Sequence, residues 1–242
     1  MNLIVDVGNS FVKFAVFQED ELLEKITTEL SDFEKTQKEI SKNHPEIKKC
    51  ILASVGKLSK EDIIKLEKQY KVLILDSNLK FPFQNRYQTP TTLGVDRMAL
   101  VAASVKRYTN KDVLIIDAGS CITYDFINRQ NEYLGGAISP GIRLRYKSLH
   151  NFTANLPLLD TEMPKTLIGD STKGAIHSGV VNGIVKEIDG IIDEYRAKYS
   201  DLTVILTGGD ANFLSKQLKN SIFANSNFLL EGLNFILEYN TH

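Results

Sequence analysis

The chain has 242 residues, 43% of them hydrophobic and 24% charged, and 29 basic residues stand against 30 acidic ones for a formal net charge of −1. That length allows one large domain or two compact ones, each with a real core. The near-balance of charge removes the basic footprint of a nucleic-acid binder and any basic membrane-surface patch, and no apolar run approaches the roughly 20 residues of a spanning helix. The start, Met1-Asn2-Leu3-Ile4-Val5-Asp6, lacks a basic region, so no signal peptide is expected. Cys50 and Cys121 have neither metal nor disulfide-framework spacing, and none of His44, His150, His177 and His242 is paired at metal-ligand spacing. Transition-metal chemistry therefore has little support, while oxygen-only magnesium sites remain open. A soluble, cytoplasmic, globular protein is expected.

Leu3-Ile4-Val5 reads as a strand running into Asp6-Val7-Gly8-Asn9-Ser10, after which Phe11 to Phe17 resumes β-type composition and Leu22 to Thr28 returns as a third strand. Asp32 to Asn43 is polar with a weak helical period. Lys49 to Val55 is expected as a buried strand, Ser59 to Tyr70 as an amphipathic helix with Ser59 as N-cap, and Lys71 to Leu75 as another strand. Phe81 to Thr92, with two prolines and no period, reads as a long loop of the kind that often carries function, and Val95 to Tyr108 as a helix.

At Lys111 the pattern restarts. Asp112 to Ile116 is a strand that runs into Asp117-Ala118-Gly119-Ser120-Cys121-Ile122-Thr123, so both halves show an apolar strand ending in Asp-x-Gly with a hydroxyl residue close behind. This is duplication at domain scale. Next come Tyr133 to Ile138, a Gly-Pro-rich loop through Pro140-Gly141, a helix near Ile142 to Leu149, and a long helix over Ser171 to Tyr199. Thr203 to Leu206 is a strand ending in Thr207-Gly208-Gly209-Asp210-Ala211, and a last helix runs near Leu229 to Tyr239. Two similar halves of alternating strands and helices imply an α/β architecture with lobes at 1–110 and 111–242.

A carboxylate at the C-terminal end of an apolar strand, such as Asp6, sits where ligands bind open α/β sheets. Gly8 lets phosphate oxygens approach the backbone, Ser10 and nearby N–H groups can donate to them, Lys13 adds positive charge, and Asp6 can hold magnesium through water. The same residues also suit a tight β-turn. The second Asp-x-Gly-Ser weighs against that bland reading, because facing phosphate loops are what a cleft ATPase or kinase requires. Asp96 and Arg97, read alone, are a first-turn acid on a helix and a surface cation. Cys121 reads as a small apolar filler, and His177 as packing or surface.

The two strand–Asp-x-Gly–(Thr/Ser) lobes resemble the actin, hexokinase and Hsp70 superfamily. Within it the chain resembles the type III pantothenate kinases through four stretches in order: Asp6 to Lys13, Gly94-Val95-Asp96-Arg97, Asp117 to Thr123, and Gly135-Gly136-Ala137-Ile138-Ser139-Pro140-Gly141, with Thr207 to Ala211 also fitting. The family usually has Thr where Ser10 and Ser120 stand, and Ala where Cys121 stands. The resemblance implies two ribonuclease-H-like (actin-like ATPase) lobes with a nucleotide cleft between them, and transfer of phosphate from ATP to pantothenate to give 4′-phosphopantothenate for coenzyme A. It implies ATP contacts from Asp6, Val7, Gly8, Asn9, Ser10, Phe11, Val12, Lys13 and Ser120. Pantothenate contacts are implied for Tyr87, Gly94, Val95, Asp96, Arg97 and Thr172, with Asp96 as the base. Asp117 is implied to hold a monovalent cation, potassium or ammonium, beside magnesium with ATP, and a homodimer is implied as well. Two alternatives stand beside this reading. One is a kinase for another small alcohol; the other is a catalytically idle nucleotide-binding regulator, or a transcription accessory factor, on the same scaffold.

Overall fold

The computed structural model describes residues 1–8, 11–54 and 58–241, in two compact units: Met1–Thr109 with Asn227–His242, and Asn110–Ser226. Asn9, Ser10 and Val55 lie outside the described residues. The first unit opens with β1 (Asn2–Val7), β2 (Val12–Gln18) and β3 (Glu21–Thr28), then α1 (Phe33–Asn43), β4 (Lys49–Ser54), α2 (Lys60–Gln69) and β5 (Lys71–Ile74). Its sheet runs β3-β2-β1-β4-β5. β1 pairs antiparallel with β2 and parallel with β4, placing Lys13 on one side of Asp6 and Ala53 on the other. Every residue of β1 is buried, as a central strand covered on both faces requires, and this explains its unbroken apolar run. β3 instead alternates exposed and half-buried positions along the sheet edge. Leu3, Val5, Val7, Phe14 and Val16 pack with Phe33 and Ile40 of α1 and Leu66 of α2; burying each such side chain fully contributes about 1.5–3 kcal/mol. Ser59 caps α2 as expected, its hydroxyl accepting from Asp62 N at 3.1 Å. The loop before α3 (Val95–Arg107) holds a two-residue strand, β6 (Gln84–Asn85), and a 3₁₀ turn at Pro90–Thr92.

The second unit repeats the plan with β7 (Asp112–Ala118), β8 (Cys121–Ile127), β9 (Glu132–Pro140), α4 (Ile142–Asn151), α5 (Thr172–His177), α6 (Gly183–Lys198), β10 (Leu202–Thr207), α7 (Ala211–Leu214) and β11 (Phe223–Ala224). Its strands run in the order β11-β10-β7-β8-β9. β7 pairs antiparallel with β8 and parallel with β10, as β1 does with β2 and β4, so the duplication expected from sequence holds strand for strand. The long helix expected over Ser171 to Tyr199 is α5 and α6 joined by a π-helical turn, Ser178–Asn182. Ser178 Oγ donates to the Leu167 carbonyl and accepts from Asn182 Nδ2.

The terminal helix α8 (Phe228–Thr241) belongs to the first unit, where the sequence reading had placed it with 111–242. Asn234 anchors it there, donating from Nδ2 to the Glu19 carbonyl at 2.7 Å and accepting from Asn2 Nδ2 at 2.8 Å. An apolar stripe such as Leu230, Leu233 and Leu237 specifies burial but not the partner surface.

Candidate functional site

The first strand-end turn is closed by Gly8 N donating to the Phe11 carbonyl at 3.0 Å. Asp6 is 7% exposed, and Lys13 Nζ, directly across the ladder, meets Asp6 Oδ2 at 3.2 Å. Burial pushes the Asp6 carboxyl above the ordinary aspartate range; Lys13 opposes that, and the Asp96 carboxylate adds to it. Asp96, far from Asp6 in sequence, is thus within electrostatic reach of it, and both belong to the first unit. Val7 and Val12 are buried, which leaves their backbone as the part able to meet a ligand, whereas Phe11 is exposed.

α3 starts at Val95 with Gly94 as N-cap and Asp96 in the first turn. Asp96 Oδ1 accepts from Arg97 N at 2.8 Å. A methyl group on Gly94 would come within 2.5 Å of that oxygen, so glycine makes the room in which the carboxylate sits. Arg97 is buried, not the surface cation that local sequence suggests, and its guanidinium lies 5.6 Å from the centre of the Tyr87 ring, a cation–π contact. An Asx turn, Tyr87 N to Asn85 Oδ1 at 2.9 Å, holds the tyrosine. Tyr87 and Arg97, ten positions apart by number, are thus brought together.

In the second unit Gly119 N donates to the Cys121 carbonyl at 2.9 Å, and Gly141 N to the Ser120 carbonyl at 3.1 Å. Asp117 is half-buried and Ser120 exposed. Thr123 and Thr207 flank Asp117 in register, and Thr123 Oγ1 is buried with no hydrogen-bond partner among the described residues. Asp125, two positions on, is fully buried and accepts from Tyr133 OH at 2.7 Å. Cys121 is exposed, which corrects the apolar-filler reading: it stands at the rim of the turn, where the strand leaves the core. Thr172 is exposed at the start of α5, and the capping role is taken by Ser171, whose hydroxyl accepts from Gly174 N at 3.1 Å. The Thr172 hydroxyl is therefore not spent on the cap. His177 is buried against Tyr146, whose hydroxyl lies 2.7 Å from Nδ1.

The stretches Asp117 to Thr123 and Thr207 to Ala211 contain the groups of this site, but the sequence does not show their juxtaposition. Thr123 and Thr207 become neighbours only through strand register, and a lone threonine in a β-type run carries no signal of that. Among the described residues no group of three or more His, Cys, Asp or Glu side chains is placed to hold a metal ion, and no helix is long and apolar enough to cross a membrane.

A sequence profile of the type III pantothenate kinase family matches residues 2–194. A type III pantothenate kinase from Christiangramia forsetii is 56% identical over 99% of both chains, and one from Flavobacterium johnsoniae is 53% identical over 99% of this chain and 98% of its own. Among solved structures, a Campylobacter jejuni protein named for the Baf family of transcriptional activators superposes with a TM-score of 0.65 at 26% identity over 98% of both chains. A glucokinase from an Antarctic psychrotroph gives 0.53 at 12% identity over 98% of both chains, a likeness of fold alone.

Proposed function

The chain belongs to the type III pantothenate kinase family, and we infer from that membership that it phosphorylates pantothenate with ATP, giving 4′-phosphopantothenate in the first step of coenzyme A synthesis. The observation that carries the assignment of roles is that the Asp6–Lys13 ion pair and the Gly94–Arg97 helix start belong to one unit, with the Asp96 carboxylate within electrostatic reach of Asp6. In this reading the turn Asp6, Val7, Gly8, Asn9, Ser10, Phe11, Val12 and Lys13 receives the ATP phosphates, with backbone N–H groups and the Lys13 ammonium as donors. Within the second unit, Ser120 of the corresponding turn is read by itself as a nucleotide-contacting hydroxyl.

Gly94, Val95, Asp96 and Arg97 take pantothenate together with Tyr87. The Arg97 guanidinium is a planar fork suited to the pantothenate carboxylate, and its cation–π contact with Tyr87 helps to place it. Phosphoryl transfer proceeds through a loose transition state, so the acceptor must be held in line more than it must be deprotonated early. Asp96 serves this need: its carboxylate orients the primary hydroxyl and takes the proton as the bond to phosphorus forms.

Two ions belong to the reading. Magnesium accompanies ATP and neutralises charge on the phosphate oxygens; Asp6, at the strand end, is the carboxylate suited to hold it through water. A potassium or ammonium ion at Asp117 fits the oxygen donors gathered there, since the unpartnered buried hydroxyl of Thr123 beside a carboxylate suits a hard cation. We also place the enzyme in the cytoplasm, where ATP is available, and read it as a homodimer. Phe152, Leu167 and Ile168 of the second unit are 87%, 76% and 82% exposed, apolar area of a kind that a second copy covers. Sedimentation at assay concentration should give about twice the 27.2 kDa chain mass; a fully active monomer overturns the dimer.

The name of the Campylobacter jejuni relative favours a second reading, a regulator without turnover. A binding-only module needs no acceptor-facing base, so Asp96 separates the two. Wild-type protein should consume ATP in the presence of pantothenate, and Asp96→Asn should lose roughly 10²- to 10⁴-fold in turnover, with ATP affinity and melting temperature nearly unchanged. A variant retaining more than about a tenth of wild-type turnover reduces Asp96 to a helix-start acid.

A further inference from the structure

In the second unit the Asp117–Cys121 turn is gripped from two sides by backbone that arrives from distant sequence. On one side the chain leaves β10 through Gly208, whose φ of +95° lies in the left-handed region, and Asp210 N then donates to the Ala118 carbonyl at 2.9 Å. A methyl group on Gly208 would overlap both that carbonyl oxygen and Asp117 Oδ1. On the other side Gly141 precedes α4 and donates to the Ser120 carbonyl; a methyl group there would overlap the Gly119 carbonyl oxygen and lie 2.6 Å from that of Ser120. Gly209, next to Gly208, has no atom within 4 Å of where its own methyl would be. The need for a bare Cα is therefore specific to the two contact points and is not a general property of the loop.

We propose that Gly208 is the positioning residue for the Asp117 carboxylate and Gly141 the positioning residue for the Ser120 turn, an assignment that rests on reading Asp117 as the cation carboxylate and Ser120 as an ATP contact. The bare Gly208 lies against Oδ1, so that a methyl group there would push the carboxylate away from the row it shares with Thr123 and Thr207. Gly141 sets the height of the Gly119 and Ser120 carbonyls and with them the direction of the Ser120 hydroxyl. The Thr207–Ala211 segment thereby acts on the cation side through Asp117, and the Pro140-Gly141 segment acts on the nucleotide side through Ser120.

The test uses the full chain with magnesium and a non-hydrolysable ATP analogue. Affinity is measured by calorimetry in potassium and in sodium, alongside turnover, KM for pantothenate and the melting temperature. In wild type the analogue should bind more tightly in potassium. Gly208→Ala should bring affinity in potassium down to that in sodium and lower turnover by about 10²-fold, the scale of an ångström-level misplacement, with KM for pantothenate unchanged. Gly141→Ala should weaken the analogue in both salts and preserve their ratio. Gly209→Ala should change none of these. A merely structural role would lower the melting temperature without touching the potassium-to-sodium ratio. Wild-type affinity indifferent to the salt defeats the cation reading of Asp117 itself. A salt-responsive wild type with a folded Gly208→Ala of the same ratio defeats only the positioning role. Loss of fold in both Gly208→Ala and Gly141→Ala assigns these glycines to the core and also overturns the proposal.

Discussion

Asp6 and Asp117 end the central strands of two sheets built to one plan, yet the residue across the ladder differs. Asp6 faces Lys13, with an ammonium 3.2 Å away, whereas Asp117 faces Thr123 on one side and Thr207 on the other. The first carboxylate has its counter-charge supplied by the chain, and that ammonium is also at hand for phosphate. The second has threonines at both cross-strand positions, and in the proposed reading the cation beside it comes from solution. On the reading proposed above, that single cross-strand position sets the two copies of the motif for different work. On that reading, lysine at this position makes a phosphate turn and threonine a cation seat.

The largest expected effect comes from making the first turn like the second. Lys13→Thr removes the cation near the phosphates; by the scale seen for single charge-stabilising donors, kcat/KM for ATP should fall by about 10²- to 10³-fold, with KM for pantothenate nearly constant. A loss below fivefold would show that the pairing across from Asp6 is not what distinguishes the two turns.

A smaller effect separates the two carboxylates. At fixed magnesium and ionic strength, potassium or ammonium should raise wild-type turnover about tenfold over sodium, the effect of roughly 1.4 kcal/mol from one added charge near the phosphates. Asp117→Asn should erase that response, while Asp6→Asn should lower turnover equally in every salt. Equal rates in all salts for the wild type would leave Asp117 without a cation role.

The smallest effect is on stability. Burial outweighs the pull of half-exposed Lys13, so the folded protein holds the Asp6 proton more tightly than the unfolded chain does. The sign follows from linkage. Ionising Asp6 costs stability above the ordinary aspartate value of about 3.9, and the cost disappears as pH falls below it. Asp6→Asn without ligands should therefore melt above wild type at neutral pH, by an amount that scales at about 2–4 °C per kcal/mol for a chain of this size, and the gap should close in acid. A variant that melts below wild type at pH 7 would mean that the Lys13 pair dominates.

Much of this was legible in the residues. The unbroken apolar runs of β1 and β7, the Ser59 cap and the Ala-rich helix α3 are local properties of a chain, set by periodicity, capping and burial of one face. The repeat of Asp-x-Gly was visible because a strand-end turn needs those residue types within five positions. Pairing was not visible. That Lys13 lies across from Asp6 and Thr123 from Asp117 depends on register, and a shift of one residue would turn each side chain to the other face. The burial of Arg97 over Tyr87, the return of α8 to the first unit, and the pressing of Gly208 against Asp117 likewise join residues that carry no mutual signal along the chain. Sequence alone settled the elements and the candidate chemistry, because those follow from interactions within a few residues. Tertiary structure decided which residue stands across from each carboxylate and which glycine lies against Asp117, because those depend on packing between segments up to half the chain apart.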